Sequence, residues 1–297
     1  MKKCCMLLLL VFLLSGCREE LPAPGWAETS TGLTYLDLEG APVMGWQTIN
    51  GYTYYFDPER SGAMVTGWLM LPEGRYYFDG MGILHTGWLE LPEGLYYMTQ
   101  EGAMAVGAVE IQGVTHYFTA DGTPFLLVNR WNSLPEGYEP HLTEVDGFRV
   151  AEECAAALRA MMLDCREAGH RCEINSAYRD VTFQQMLWDN RYNGYLAQGY
   201  SPQEAADLSA QIVLPPGTSE HHTGLAIDIT GTDEMYRWLA THAPEYGFIL
   251  RYPEGKTDFT GVIYEPWHFR YVGIALAQEL QTLDMTLEEY FTVYLPS

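Results

Sequence analysis

Hydrophobic and polar positions follow two different patterns along this chain, and the change falls near residue 127. Before it, short aromatic runs alternate with glycine-rich turns, which is typical of β-hairpins. After it, apolar residues recur at spacings of three and four, as in amphipathic helices. The pattern predicts helices at about 150–168, 181–195 and 202–213, and strands at about 171–175 and 225–229.

Two of the predicted helices have a distinct apolar side. In the first, Cys154, Leu158 and Met161 fall on one face and predict a core helix. In the second, Phe183, Met186, Leu187 and Tyr192 lie on one side.

The first half of the chain is an internal repeat. Gly-Trp pairs begin at Gly25, Gly45, Gly67 and Gly87, at intervals of 20, 22 and 20 residues, and a fifth copy at Gly107 has lost its tryptophan. Each pair is followed by a run of tyrosine and phenylalanine at a fixed offset, and Gly or Pro-Glu-Gly segments supply the turns. One such hairpin cannot bury its own aromatic face, so the repeats are expected to stack into a β-hairpin solenoid over residues 25–126.

Two segments of the second half concentrate polar residues. The first ends in an alternating stretch that predicts a strand with Leu225 and Ile227 on one face. Asp228 then lies on the opposite face with Gly224 and Ala226, whose small size is expected to leave room for a ligand or an ion. A carboxylate placed among apolar residues is costly unless it is paired or bound to a metal.

The second polar segment, around His268, supplies further donors. Together His221, Asp228 and His268 offer two imidazole nitrogens and one carboxylate oxygen, a set suited to catalytic zinc with one position left for water. Glu265, three residues before His268, is placed to act as a base rather than as a ligand. Each histidine taken alone is more simply a structural residue, and His222 competes with His221 for the ligand position.

These residues form two complete motifs, Ser-x-His-x-x-Gly-x-Ala-x-Asp and Glu-x-Trp-His, and the chain between about residues 127 and 273 thereby resembles the VanY-type D-Ala-D-Ala carboxypeptidases. The motif residues are Ser219, His221, Gly224, Ala226, Asp228, Glu265, Trp267 and His268. A Ser-x-Tyr-Arg segment (Ser176, Tyr178, Arg179) with Gln184 five residues after the arginine also matches. The resemblance implies an α+β zinc peptidase domain, an antiparallel sheet with flanking helices, over residues 127–297.

The resemblance also implies roles for individual residues. Zn²⁺ would be bound by His221, Asp228 and His268, with Glu265 as the general base and Arg179 stabilising the oxyanion or pairing with the substrate's terminal carboxylate. Further candidate substrate contacts are Ser219, Gln184, Tyr178 and Trp267. The implied reaction is release of the terminal D-Ala from the peptidoglycan stem peptide. The alternatives are endopeptidase cleavage, such as at L-Ala-D-Glu, and a wall-binding lipoprotein whose peptidase domain is inactive.

The repeats resemble the cell-wall-binding repeats of choline- and glucan-binding surface proteins. Choline-binding repeats place a second tryptophan directly before the Tyr-Tyr pair, where it helps to enclose the cation. Here Thr53, Arg75 and Leu95 occupy that place. The resemblance implies binding of a wall polymer, while the missing tryptophan argues against choline as the group bound, and the alternative is a pure spacer.

The first residues resemble a bacterial lipoprotein signal. Two lysines precede nine apolar residues and the sequence Leu-Ser-Gly-Cys, which ends at Cys17. The apolar run is shorter than the roughly 20 residues that span a bilayer. We expect a signal peptide at residues 1–16, lipidation of Cys17, a linker at 17–24, and an extracytoplasmic protein held at the membrane by its lipid anchor.

Charge and cysteine content narrow the possibilities further. The formal charge of −23 argues against nucleic acid as a partner, because phosphates would be repelled. Beyond the signal and the expected lipidation site at Cys17, Cys154, Cys165 and Cys172 remain. The first two, on one helix, are roughly 16 Å apart and cannot bridge. Either can pair with Cys172, and three buried free thiols are the alternative.

Overall fold

The computed structural model describes residues 24–295 and divides the chain into two compact units. Within these residues, one unit consists of 24–89 and 97–104, and the other of 90–96 and 105–295. The expected signal peptide and Cys17 lie outside the described residues, so both stay predictions. None of the helices within residues 24–295 is long and apolar enough to cross a membrane.

The repeat region consists of short antiparallel hairpins, as predicted. Its strands are β1 (Gly25–Thr29), β2 (Gly32–Leu36), β3 (Gly45–Ile49), β4 (Tyr52–Asp57), β5 (Ala63–Met64), β6 (Gly67–Leu71), β7 (Gly74–Phe78), β8 (Gly87–Leu91), β9 (Gly94–Met98), β10 (Gly107–Ile111), β11 (Val114–Phe118) and β12 (Pro124–Phe125). In the β6–β7 hairpin Leu71 pairs with Gly74, so the turn residues are Pro72 and Glu73.

Stacking of one hairpin on the next closes the aromatic core of the repeats. The Trp26 ring lies edge-on to Tyr35 of its own hairpin and to Tyr54 of the following one, with ring centroids 5.4 and 5.1 Å apart. Trp46 repeats this arrangement with Tyr55 at 5.1 Å and Tyr76 at 4.9 Å. The predicted solenoid of β-hairpins is confirmed.

The last repeat belongs to the second compact unit. The Phe125 ring lies 4.8 Å from that of Phe291, and the Tyr117 hydroxyl donates to Asn132 Oδ1 at 2.8 Å. These contacts tie residues that we assigned to the repeats to the peptidase region. The proposed domain boundary at residue 127 stays a prediction.

The rest of the second unit is an α+β domain, which confirms the predicted fold class. Its elements are β13 (Leu142–Val145), β14 (Phe148–Ala151), α1 (Glu152–Glu167), β15 (Glu173–Ser176), α2 (Val181–Ala197), α3 (Pro202–Ser209), β16 (Ala226–Thr230), α4 (Asp233–His242), β17 (Phe248–Leu250), α5 (Thr257–Thr260), β18 (His268–Tyr271), α6 (Ile274–Leu283) and α7 (Leu287–Glu289). The main sheet has the order β15-β16-β18-β17 and is antiparallel throughout.

Helix α1 covers one face of this sheet. Cys154, Leu158 and Met161 are fully buried in the main core together with Ile227 and Ile229 of β16, as their spacing predicted. The thiols of Cys154, Cys165 and Cys172 are free and buried, so of the two alternatives the structure has three free thiols and no disulfide among them.

Helix α2 forms at Val181–Ala197, close to its predicted range. Of the four residues predicted on one side, Phe183 and Met186 are 45% and 47% exposed, whereas Leu187 and Tyr192 are half-buried. The buried residue of the helix is Gln184, whose side chain donates to the Leu214 carbonyl.

Candidate metal centre

The register of two neighbouring strands creates the centre of the site. In the pairing of β16 with β18, Asp228 lies directly opposite His268. On its other side β16 pairs with β15, where Ser176 lies opposite Asp228. Side chains opposite each other on antiparallel strands point to the same face, so the Asp228 carboxylate and the His268 ring meet above the sheet.

A one-turn 3₁₀ helix at Glu220–Thr223 delivers His221 to the same place. Gly224 ends this turn with φ +73°. A Cβ at Gly224 would lie 2.9 Å from the backbone nitrogen of Ala151, so both the conformation and the close packing require glycine. The expectation of free space beside Gly224 was therefore wrong, because the backbone of Ala151 fills it.

The three predicted ligands converge. One ligand atom from each of His221, Asp228 and His268 lies within 4.8 Å of the others, and all three residues are buried. His221 Nε2 is 3.3 Å from Asp228 Oδ2, and His268 Nδ1 is 3.1 Å from Asp228 Oδ1. Tetrahedral zinc with ligand bonds near 2.0–2.2 Å separates its ligand atoms by about 3.3 Å, so this donor set fits the ion.

The hydrogen bonding of His221 favours a cation at this point. Its Nδ1 lies 2.7 Å from the Ala177 carbonyl oxygen, which can only accept, so Nδ1 carries the proton. Burial lowers the pKa of His221 to about 4, and the ring is neutral at pH 7. Its Nε2 therefore directs a lone pair at the Asp228 carboxylate, and a metal ion between the two acceptors would remove their repulsion.

His222 is excluded as a ligand by its own hydrogen bonds. The Gly217 N–H donates to His222 Nε2 at 3.1 Å, and His222 Nδ1 donates to the Arg179 carbonyl at 2.7 Å. With both ring nitrogens engaged, His222 braces the loop, and His221 is the residue that faces Asp228.

Glu265 lies beside the three donors. Its Oε2 is 3.6 Å from His268 Nδ1, and its backbone N–H donates to the Tyr252 carbonyl. Burial raises the pKa of Glu265 to about 7. A carboxylate with this pKa is suited to taking and returning a proton near neutral pH.

Electrostatics around His268 favour its charged form in the metal-free protein. Burial lowers the pKa of His268, but the carboxylates of Asp228 and Glu220 outweigh it and raise the pKa to about 9. Burial raises the pKa of Asp228, but its interactions with His221 and His268 outweigh burial and hold the pKa well below its ordinary value. Asp228 is thus an anion wherever the protein is folded near neutral pH.

Arg179 lies at the edge of the donor cluster. Its Nη2 forms an ion pair with Asp228 Oδ2, and its Nε donates to Ser176 Oγ at 2.8 Å. The guanidinium is fixed by these two contacts in the segment between β15 and α2. It therefore faces the same space as the three donors.

An open cavity of about 230 Å³ lies above the donors. The predicted site residues Ser219, Gln184, Trp267, Arg179 and Glu265 line it. Gln184 Nε2 donates to the Leu214 carbonyl at 2.7 Å, while its buried Oε1 has no hydrogen-bond partner.

Tyr178 is not among the residues that line this cavity within the described part of the chain. The Arg149 guanidinium lies 4.7 Å from the centre of its ring. The assignment of Tyr178 as a substrate contact stays a prediction, and the cavity geometry lends it no support.

Two charged residues beneath the site did not emerge from the motifs. Glu220 is fully buried next to His221, and Arg270 lies opposite Ala226, two residues after His268 on the same strand face. The residue paired with Ala226, where we expected open space, is therefore Arg270, with its long side chain. The alternation of β18 could have revealed Arg270, because residues two apart on a strand share a face.

Comparison with known proteins agrees with this geometry. Residues 147–274 match the VanY family, described as D-alanyl-D-alanine carboxypeptidase, and residues 43–83 match the choline-binding repeat. A bifunctional D-Ala-D-Ala dipeptidase and carboxypeptidase of Enterococcus gallinarum is 39% identical over 188 residues, which cover 55% of this chain and 91% of the relative. The chain belongs to the VanY family.

A D-alanyl-D-alanine carboxypeptidase of Enterococcus faecalis is 38% identical over 172 residues, which cover 56% of this chain. The chain spans 64% of that relative's length. Among solved structures, VanYB in complex with D-alanine-D-alanine is similar, with 38% identity, a TM-score of 0.55, and coverage of 57% of this chain and 97% of the other. A vancomycin-resistance D,D-pentapeptidase in complex with Zn(II) is also similar, with 38% identity, a TM-score of 0.53, and coverage of 56% of this chain and 97% of the other.

Proposed function

We propose that this protein is a zinc-dependent D-Ala-D-Ala carboxypeptidase that removes the terminal D-Ala from the peptidoglycan stem peptide. The observation that carries the proposal is the convergence of His221, Asp228 and His268, with donor atoms within 4.8 Å, beside Glu265 in an open cavity. The family membership and the zinc and D-Ala-D-Ala complexes of its relatives support the same activity.

His221 Nε2, an Asp228 oxygen and His268 Nδ1 would hold the metal. Zinc, when bound, supplies Lewis acidity that activates water near neutral pH and polarises the scissile carbonyl. Glu265 takes the proton of the attacking water on its carboxylate and delivers it to the leaving amine. The pKa of about 7 that burial gives Glu265 suits both transfers.

Arg179 provides the positive charge on the substrate side of the cavity. Its guanidinium is anchored by Ser176 and Asp228, so it is fixed before substrate arrives. A fixed guanidinium stabilises the oxyanion that develops at the scissile carbonyl. The apolar residues Leu187, Ile212 and Val262, which also line the cavity, suit the methyl group of a D-alanine residue.

The repeats would hold the enzyme at the cell wall by binding a wall polymer. The match of residues 43–83 to the choline-binding repeat supports a wall-binding role. In the place of the second cage tryptophan, the Arg75 guanidinium lies 4.0 Å from the Trp68 ring centre, where a ligand cation would otherwise sit. We therefore propose that the repeats bind a wall polymer through a group other than choline. We also propose that the protein is extracytoplasmic and is anchored through a lipid on Cys17.

The test uses the purified protein with zinc, a muramyl pentapeptide and the matching tetrapeptide, with products read by mass spectrometry. We expect loss of one alanine from the pentapeptide alone, and a Glu265→Gln variant that binds zinc but is slower by about 10²–10⁴-fold. Cleavage inside the stem would establish the endopeptidase alternative instead. No cleavage of either peptide by the zinc-loaded protein would contradict the proposal and favour a wall-binding protein without activity.

A further inference from the structure

The ring nitrogen of His268 that points away from the three metal donors faces a buried carboxylate. While Nδ1 points at the donor cluster, Nε2 lies 3.7 Å from Glu220 Oε2. Both of these atoms are buried and have no hydrogen-bond partner. A shift of about 1 Å would bring them to hydrogen-bond distance. Histidine ligands of metals almost always donate their second N–H to such an acceptor, which fixes the ring and its tautomer.

Two arginines hold the other oxygen of Glu220. Arg251 Nε donates to Glu220 Oε1 at 2.8 Å, and Arg270 Nη1 forms an ion pair with the same oxygen at 3.1 Å. Both arginines contact Oε1, so Oε2 remains for His268. All of these groups are almost completely withdrawn from solvent, so an unpaired charge here would be costly.

Arg251 is fixed in turn by the C-terminal helix α7. Its Nη1 and Nη2 contact the two oxygens of Glu288 at 2.8 and 2.5 Å, a bidentate pair. Asn129 Nδ2 donates to Glu288 Oε1 at 2.8 Å. Asn129 and Glu288 both lie outside residues 147–274, which match the family. The two flanking segments therefore meet at the support of a metal ligand.

We propose that Glu220 is a positioning residue that accepts the Nε2–H of His268 and holds Nδ1 toward the metal, and that Glu288 fixes Glu220 through Arg251. The inference rests on the proposed zinc site. It assigns to the short helix α7 a part in metal binding rather than in stability alone. The charges of the group balance, with Glu220 and Glu288 opposing Arg251 and Arg270.

The test compares zinc affinity with the stability of the metal-free protein. Full-length wild type, Glu220→Gln and Glu288→Gln are titrated with zinc against a competing chelator, and the metal-free forms are melted. The matched control is Glu289→Gln, which removes the neighbouring ion pair with Lys256, 2.9 Å long, while its side-chain carbonyl can still accept the Thr286 N–H that caps α7. The visible spectrum of the Co(II)-substituted proteins reports the ligand geometry directly.

We expect Glu220→Gln to weaken zinc binding by about 10–100-fold and to change the Co(II) spectrum. Glu288→Gln should weaken binding several-fold, and Glu289→Gln should leave it unchanged. Equal zinc affinity in wild type, Glu220→Gln and Glu288→Gln, with lower melting temperatures alone, would overturn the proposal. Should Glu220→Gln fail to fold, the comparison of Glu288→Gln with Glu289→Gln decides. Wild-type protein that binds no zinc would instead contradict the proposed function itself.

Discussion

Asp228 and His268 lie directly opposite each other on neighbouring antiparallel strands, with His268 Nδ1 3.1 Å from Asp228 Oδ1. The metal centre is therefore tied to the register of the sheet. A slip of one residue would place the apolar Ile227 or Ile229 on this face and turn Asp228 into the core. The same pairing that buries the β16 isoleucines beneath α1 thus aligns the carboxylate with its histidine.

Replacing His221 and His222 one at a time should distinguish the metal ligand from the histidine that holds the loop in place. His221→Ala should weaken zinc binding by more than the roughly 10–100-fold that loss of an outer hydrogen-bond partner costs. His222→Ala should keep zinc affinity but lower the free energy of unfolding by about 1–3 kcal/mol, because it leaves Gly217 and Arg179 backbone groups without partners. Chelator competition and urea unfolding measure the two effects. Loss of zinc binding in His222→Ala alone would refute the ligand assignment.

The rate should fall in acid as Glu265 gains a proton. A general base works only when ionised, so kcat/KM should decrease about tenfold per pH unit below the pKa of Glu265. Burial raises that pKa to about 7 in the metal-free protein, and a bound cation lowers it, so the acid limb should lie at or below pH 7. Initial rates of the zinc-saturated enzyme on the pentapeptide measure this limb. The same limb in Glu265→Gln would show that another group causes it.

Zinc binding should release a proton from His268. The pKa of His268 is about 9 in the metal-free protein, so at pH 7 the ring is charged and must lose a proton before Nδ1 can bind a metal. We expect release of at least about one proton per zinc, and an affinity that rises about tenfold per pH unit up to pH 9. Calorimetry in two buffers with different ionisation enthalpies measures the number released. A heat of binding that is the same in both buffers would contradict the prediction.

Gly224 and Gly217 have similar φ angles, so alanine substitutions at the two positions can be compared by their free energies of unfolding. Gly224 and Gly217 have φ of +73° and +84°, but a Cβ would meet Ala151 backbone at 2.9 Å only from the first. Gly224→Ala and Gly217→Ala should both cost about 1 kcal/mol or more from the positive φ. Gly224→Ala should cost clearly more, and should also weaken zinc binding by displacing the turn that carries His221. Equal unfolding free energies for the two variants would show that the contact with Ala151 relaxes freely.

The face on which Asp228 lies could be predicted from the sequence because local alternation encodes it. Asp228 lies on the face opposite Leu225 and Ile227, and this follows from the two-residue period of a strand. The hairpins likewise follow from a short repeat with turn residues at fixed places. Both are properties of neighbouring residues, so a single sequence contains them.

What the sequence did not predict depends on contacts between distant segments. Arg270 lies opposite Ala226 because β18 pairs with β16, and no local pattern encodes that pairing. Helix α2 exposes Phe183 because its inward contact is the hydrogen bond from Gln184 to Leu214. The tautomer of His221 is set by the carbonyl of Ala177, 44 residues away.

The joint between repeats and peptidase has a consequence for how such proteins can be rearranged. Arg270 Nη2 donates to the Leu126 carbonyl at 3.0 Å, and Phe125 packs against Phe291. Recombination at residue 127 would thus expose the Phe291 ring and remove the carbonyl to which Arg270 donates. Exchange of the wall-binding array between such enzymes should therefore be tolerated only when the terminal hairpin, β10 to β12, is inherited with the catalytic part.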